Sequence, residues 1–298
     1  MEYTVKAEEA GRRVRDILRR SMEVSYTAMK SAKWNGRLLL NGENVYTDAK
    51  VQAGDVVRID WAEETPAYRP RRFDLPLETA WEDEYLLAVV KPAPLASQSS
   101  RNHPDDSLEN AVYTYFGCPE NFVYRPVNRL DKGTSGLMMI AKTPHIQHLM
   151  QRQLHTPRFR RRYLALTEGV PAEREGLIDL PIAKAEGATV KRVTDPAGKP
   201  SRTRYRVLAE RNGRALVLLE LETGRTHQIR VHLSAIGCPV AGDFLYGREL
   251  PEEFPGRFAL HSALLEAEHP VTGGMIRLTS LPEWAGEVPD SVLLLDID

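Results

Sequence analysis

Residues 125–142 read RPVNRLDKGTSGLMMIAK, near the middle of a 298-residue chain. The front half is polar and turn-forming, and Leu137 to Ala141 form a short apolar run of the kind that fills a buried strand. Between them lie Arg129, Asp131, Lys132, Thr134, Ser135 and Gly136. A carboxylate among small hydroxyl residues and glycine, beside a buried strand, is held rigidly and lies close to any ligand above it. An arbitrary Asp-x-x-Thr-Ser-Gly is most often an aspartate capping its own turn through Thr134 and Ser135. The rest of the chain decides between the two readings.

On the N-terminal side, residues 1–61 read as a separate small module. Val14, Ile17 and Leu18 give one apolar stripe, ringed by Arg12, Arg13, Arg15, Arg19 and Arg20. That is a short amphipathic helix with a basic outer face. Ser25 is suited to cap a second helix running to about Trp34 and carrying Lys30 and Lys33. Arg37 to Leu40, the pair Asn41-Gly42, and Glu43 to Tyr46 read as a hairpin. Gly54-Asp55 turns into the alternating strand Val56 to Trp61. Residues 62–77, AEETPAYRPRRFDLPL, are rich in proline and charge without periodicity and read as a linker to a larger domain, 78–298.

Next to the central stretch, DEYLLAVVKPAPLASQ (83–98) gives a turn, an apolar strand and then Lys91-Pro92. Lys91 is a candidate phosphate contact or a solvent-facing strand-end lysine. Ser107 caps a helix to Phe116, and Thr143-Pro144 opens another to about Leu154. His145, His148 and His155 lie on or beside that helix; without acidic or cysteine partners they read as surface histidines, not metal ligands. FRRRYLALTEG (159–169) is basic, then an apolar strand holding Tyr163. Arg158, Arg160, Arg161 and Arg162 are candidates for a phosphate-binding edge, although strand alternation points them to different faces. In LETGRTHQIRVHLSAIGCPVAGDFLYG (221–247), Thr226 is suited to cap a helix that brings His227, Arg230 and Ser234 near one another. RFALHSALLEAEHP (257–270) supplies a last strand.

Net charge is -1, which argues against a tail-driven nucleic-acid binder but allows a local basic face. With only Cys118 and Cys238 there is neither a disulfide framework nor a cysteine metal cluster. The N-terminus has no apolar signal core and the chain has no long uncharged apolar run, so a cytoplasmic protein without membrane association is expected.

Several blocks, in order, resemble the RluA-type RNA pseudouridine synthases. NRLDKGTSGL matches the signature His-Arg-Leu-Asp-x-x-Thr-Ser-Gly-Leu without gaps, with Asn128 in place of His. DEYLLAVVKPAPL matches the first block, with Pro94 for its glycine and Gln98 near the position of a frequent histidine. The Tyr163 and GRTHQIR blocks come after these, and ALHSALLEAEHP resembles the last. The two basic helices and small sheet of residues 1–61 resemble an S-four-type RNA-binding module, as in the RluD-like subgroup.

The resemblance implies an α+β fold: a small S-four-like domain, then a catalytic domain with a mixed, mostly antiparallel sheet. It implies isomerisation of specific uridines to pseudouridine in structured RNA. Large-subunit ribosomal RNA is the expected substrate, with transfer RNA or a catalytically inactive RNA-binding protein as alternatives. Asp131 takes the place of the catalytic carboxylate, Arg230 its basic partner and Tyr163 the residue that stacks on uracil. Leu265 would pack below the ring, Arg129 would fill the space left by a flipped nucleotide, and Lys91, Thr134 and His227 would complete the substrate site. Arg12, Arg13, Arg19, Arg20, Lys30 and Lys33 would contact RNA. The reaction breaks N1–C1′ and rejoins the base through C5, with no net redox change, so no cofactor or metal is expected. A lone carboxylate suffices because uracil leaves as a stabilised anion, whereas glycosidases need a second acid for a leaving oxygen. Attack at C1′, attack at C6 and elimination through a glycal all remain open. A monomer without an obligate protein partner is expected.

Overall fold

The structure, a computed structural model, describes residues 1–298 except 36, 62–65, 155 and 298. The first sixty or so residues build one small hydrophobic core. β1 (Glu2–Thr4) precedes α1 (Val14–Asp16), which continues as a π-helical turn over Ile17–Ser21. Val14, Ile17 and Leu18 are fully buried, as their spacing requires, and Arg13, Arg19 and Arg20 stay outside. α2 (Tyr26–Asn35) begins where Ser25 Oγ accepts the Ala28 N–H at 3.0 Å. β2 (Arg37–Leu40), β3 (Glu43–Asn44) and β4 (Val56–Asp60) complete an antiparallel sheet in the order β1-β4-β2-β3. Asn41 and Gly42 both have positive φ, the geometry of the tight hairpin turn that an Asn-Gly pair favours.

Residues 66–77 have no regular structure but are fastened to the larger domain. Arg69 Nε donates to Tyr113 Oη at 2.7 Å, the Phe73 N–H donates to Thr114 Oγ1 at 2.8 Å, and Phe73, Leu75 and Leu77 pack on the large core. The C-terminal part of the expected linker therefore lies against the larger domain. Residues 62–65 of that linker lie outside the described residues.

The large sheet contains β5 (Glu78–Glu82), β6 (Leu86–Lys91), β7 (Ser135–Ala141), β8 (Phe159–Glu168) and β9 (Glu175–Asp179). Between these run α3 (Leu108–Tyr115) and α4 (Pro144–Gln153). β10 (Ile182–Lys184) and β11 (Arg192–Thr194) form a separate hairpin. β12 (Arg202–Arg211), β13 (Arg214–Leu221), α5 (Gln228–Ala235), β14 (Leu260–Glu268), β15 (Met275–Thr279) and α6 (Asp290–Leu293) complete the chain. Among the described residues the sheet has nine strands, ordered β5-β6-β7-β14-β8-β13-β12-β9, with β15 also on β14. The expected mixed, mostly antiparallel α+β fold is present: β7 with β14 is the one parallel pairing among the described strands of this sheet. The expected caps hold for α3 and α4, where Ser107 and Thr143 accept N–H groups three residues on. The expectation of surface histidines fails for His145. It is buried, stacks on Trp61 at 5.9 Å, and burial pushes its pKa down to about 4. His155 lies outside the described residues.

The parallel pairing rests on Gly136. A Cβ there would sit 2.3 Å from the Ser262 carbonyl oxygen, and its φ of +105° disfavours any side chain. This approach sets β7 against β14, so it also sets where the loop before β7 ends. Gly136→Ala is expected to cost about 1–3 kcal/mol from the forced shift of backbone. A urea denaturation midpoint unchanged from wild type would show that the two strands part freely.

Candidate active site

Asp131 stands on the loop that leads into β7. Four residues tie that loop down. Asn128 Oδ1 accepts the Met139 N–H at 2.9 Å while its Nδ2 donates to Leu137 O at 3.3 Å. Ser97 Oγ donates to Leu130 O at 2.6 Å, the Leu95 N–H to Lys132 O at 3.0 Å, and the Thr134 N–H to Asp131 O at 3.1 Å. Asn128, the departure from the signature histidine, thus bridges the loop to the edge of β7.

Arg230 reaches Asp131 from α5. Its Nη1 donates to Asp131 Oδ2 at 3.1 Å, while Nε and Nη2 grip Asp243 at 2.6 and 2.9 Å. The guanidinium lies 4.2 Å from the Phe258 ring centroid and 5.0 Å from that of Tyr246. Burial by itself would lower the Arg230 pKa; the hydrogen bonds and charge of Asp243, then of Asp131, carry it above the ordinary value. Asp131 lines the cleft, and no described hydrogen bond falls on its Oδ1.

Around these residues lies a cleft of about 860 Å³. Asp131, Tyr163, Arg230, Arg129, Thr134 and His227 all line it. Burial pushes the Tyr163 phenol up in pKa; the Arg161 charge works against this and the Asp131 charge with it. Asp131 is the sole carboxylate among the described lining residues, against Arg129, Lys132, Arg161, Arg225 and Arg230. A retaining glycosidase would need a second carboxyl group about 5–5.5 Å away.

Three expectations are corrected. Lys91 is no phosphate contact: it is fully buried, and Nζ donates to Pro92 O and Leu95 O at 2.9 and 2.8 Å and to Lys132 O at 3.4 Å. Burial brings its pKa to about 7 against the opposing pull of Asp131. It binds the 92–95 loop to the Asp131 loop from behind. Leu265 is buried in a cluster with Ile146, Met150 and Phe159 and does not line the cleft; Leu260, in one cluster with Tyr163, does. Thr226 is not the cap of α5, which starts from His227 in the left-handed region at φ 60°. Among the arginines before Tyr163, Arg160 and Arg162 pair with Glu220, while Arg161 lines the cleft with a buried Nε that has no hydrogen-bond partner among the described residues.

Sequence reasoning missed Asp243, Tyr246, Leu260 and the separate role of Arg161. Asp243 and Tyr246 stand in the quoted AGDFLYG segment, but nothing there says that the aspartate turns back onto Arg230. The six basic residues Arg12, Arg13, Arg19, Arg20, Lys30 and Lys33 belong to the N-terminal helices or their flanks, and none lines the cleft.

A single carboxylate among five cations, over the described lining residues, suits a cleft that takes a polyanion. The RNA pseudouridylate synthase family profile matches residues 85–235. Ribosomal large subunit pseudouridine synthase D of Salmonella typhimurium is 35% identical over 98% of this chain and 92% of its own length. The uncharacterised RNA pseudouridine synthase YjbO of Bacillus subtilis is 35% identical over 80% of this chain and 83% of its own. The solved structure of human RNA pseudouridylate synthase domain containing 1 superposes with a TM-score of 0.58 at 27% identity, covering 70% of this chain and 84% of that one. The chain belongs to the RNA pseudouridine synthase family, in its RluA/RluD-type branch, and isomerises uridine to pseudouridine in RNA.

Asp243→Asn leaves the Arg230 guanidinium buried with half its counter-charge. Loss of about 3–5 kcal/mol of stability is expected, as for any broken buried pair, together with loss of turnover. Calorimetry on the purified variant checks this; a native melting temperature would show that Asp131 alone satisfies Arg230.

Proposed function

We propose that this enzyme modifies uridines in large-subunit ribosomal RNA, working as a cytoplasmic monomer. Relatives named ribosomal large subunit pseudouridine synthase D, similar over nearly the whole chain, support the choice of ribosomal over transfer RNA. Among the described residues no helix is long and apolar enough to cross a membrane.

In this reading Asp131 carries the chemistry. The observation behind it is one oxygen held by Arg230, the other unengaged, and no other described carboxylate in a basic cleft. As the N1–C1′ bond weakens, positive charge grows on the sugar, and the fixed carboxylate stabilises it or adds to it. Arg230 holds that carboxylate in place through Nη1. Tyr163, buried and neutral, gives the uracil a flat partner, with Leu260 beside it. A paired uridine cannot reach this depth, so it is flipped in, and Arg129, exposed at the rim, occupies the vacated position. Thr134 and His227 complete the substrate site. Asp131→Asn keeps the shape and removes the charge. Tritium release from C5-labelled ribosomal RNA should fall at least about a hundredfold, the order set by removing one essential charged group from a catalytic site, while RNA affinity stays within a few-fold. Turnover close to wild type would sink the role of Asp131.

Residues 1–61 act as an S-four-like RNA-binding module, 62–77 as a linker and 78–298 as the catalytic domain. A core of their own and the outward arginines of α1 and its π-turn support this. Arg13, Arg20, Lys30 and Lys33 are exposed, whereas Arg12 is half-buried and Arg19 donates to Val24 O at 2.8 Å. Replacing the four exposed cations by glutamine should reduce the slope of log affinity against log salt by about 0.7–0.9 for each phosphate no longer neutralised. The single-turnover rate at saturating RNA should change little. An unchanged slope would make these residues a solvated face.

A further inference from the structure

We propose that His227 is a positioning residue for Asp131: a neutral imidazole whose Nε2–H is aimed at the catalytic carboxylate because Tyr246 and the β10–β11 hairpin fix its tautomer. This rests on Asp131 as the catalytic group and adds how its second neighbour is set.

The backbone supplies the first observation. His227 sits at φ 60° and ψ 16°, a left-handed conformation that non-glycine residues seldom adopt. That conformation starts α5 with the imidazole turned into the cleft, its side chain 13% exposed. Nε2 lies 3.8 Å from Asp131 Oδ2, the oxygen that Arg230 also holds.

The hydrogen-bond directions supply the second. The Arg192 N–H, on β11, donates to Tyr246 Oη at 2.8 Å. Tyr246 Oη therefore already accepts one bond and keeps one proton to donate. His227 Nδ1 lies 2.8 Å away. An imidazole that accepts at Nδ1 carries its proton on Nε2. The chain Arg192 N–H, Tyr246 Oη–H, His227 Nδ1 thus puts a donor, not a lone pair, against Asp131. Tyr246 itself ends the Asp243 turn, its N–H reaching Asp243 Oδ1 at 3.3 Å. The same carboxylate that clamps Arg230 therefore also seats the tyrosine that orients His227. Both neighbours of Asp131 Oδ2 depend on Asp243.

At 3.8 Å the Nε2–Oδ2 separation is longer than a hydrogen bond. The assignment requires that gap to close when the nucleotide binds. Asp131, Arg230, Asp243, Arg192 and Tyr246 are the charged and titratable groups around the ring. Burial lowers the His227 pKa, the Asp131 charge opposes this, and the Arg230 and Arg192 charges add to it, so the ring stays neutral around pH 7.

Two measurements on the full-length enzyme test the assignment. Nitrogen-15 NMR of histidine-labelled protein, with His227 identified by its absence from His227→Gln, reads the tautomer without any RNA. The expected result is an Nε2–H tautomer that titrates below the ordinary histidine range. Tyr246→Phe should raise that midpoint, because the hydrogen bond it removes reaches only the neutral ring. An Nδ1–H tautomer, or a midpoint unmoved by Tyr246→Phe, overturns the proposal even if the RNA substrate is wrongly identified. The second measurement is the single-turnover rate on C5-tritiated large-subunit ribosomal RNA transcript. His227→Gln, which retains a donor near the Nε2 position, should lose only a few-fold and lose the histidine limb of its pH profile. His227→Leu, under the same backbone strain, should lose about tenfold or more in rate at unchanged RNA affinity, the order of one hydrogen bond to a charged group. Equal losses in both variants would reduce His227 to a space-filling residue.

Discussion

The site depends on an arginine kept charged inside the protein. Moving one such ion from water to the interior costs several kcal/mol even after relaxation. Arg230 is 3% exposed, and Asp243, fully buried, answers it with two parallel hydrogen bonds. Two aromatic rings lie against the guanidinium. With both needs met by Asp243, Phe258 and Tyr246, the remaining Nη1 is available to Asp131. Arg230 is therefore anchored independently of the group it serves. That arrangement lets Asp131 remain partly exposed, 29% at its side chain, without drifting from its place.

The sheet supplies the rest of the geometry. β7 and β14 come together at Gly136, and the loop carrying Asp131 ends there. β8 pairs with β14 on the other side, so Tyr163 stands opposite Ser262 in the register, close to where the loop emerges. Alternation along β8 then divides the arginines. Arg160 and Arg162 turn to Glu220, and Arg161 shares the cleft with Tyr163. A near-neutral chain thus presents a cleft with five cations and one carboxylate among its described lining residues, because much of the remaining positive charge is paired elsewhere.

Much of this was readable from the residues. The short amphipathic stripe at Val14, Ile17 and Leu18, the caps at Ser25, Ser107 and Thr143, and the Asn41-Gly42 hairpin are local matters of spacing and turn chemistry. So is the buried run after Asp131. The motif blocks located Asp131, Tyr163 and Arg230, which meet from three separate elements. Leu265 and Lys91 misled for a shared reason: a motif position gives a residue's place in the chain but not which way its side chain points. A bulge between Ser262 and Leu264 shifts the register of β14, so counting along the strand does not give the facing of Leu265. Lys91 ends a strand, where solvent is the usual neighbour, but the 92–95 loop folds back over it.

The sequence by itself pointed to the class of fold, the family and the place of Asp131 in the chain, because the ordered motif blocks that carry the resemblance survive without neighbours. Tertiary structure decided which oxygen of Asp131 is held, that Asp243 is the counter-ion of Arg230, that Leu260 and not Leu265 faces the cleft, and where the His227 ring finds its partners. Each of these is a contact between elements separated along the chain, set by strand register and by where loops close. No local rule of spacing carries that information.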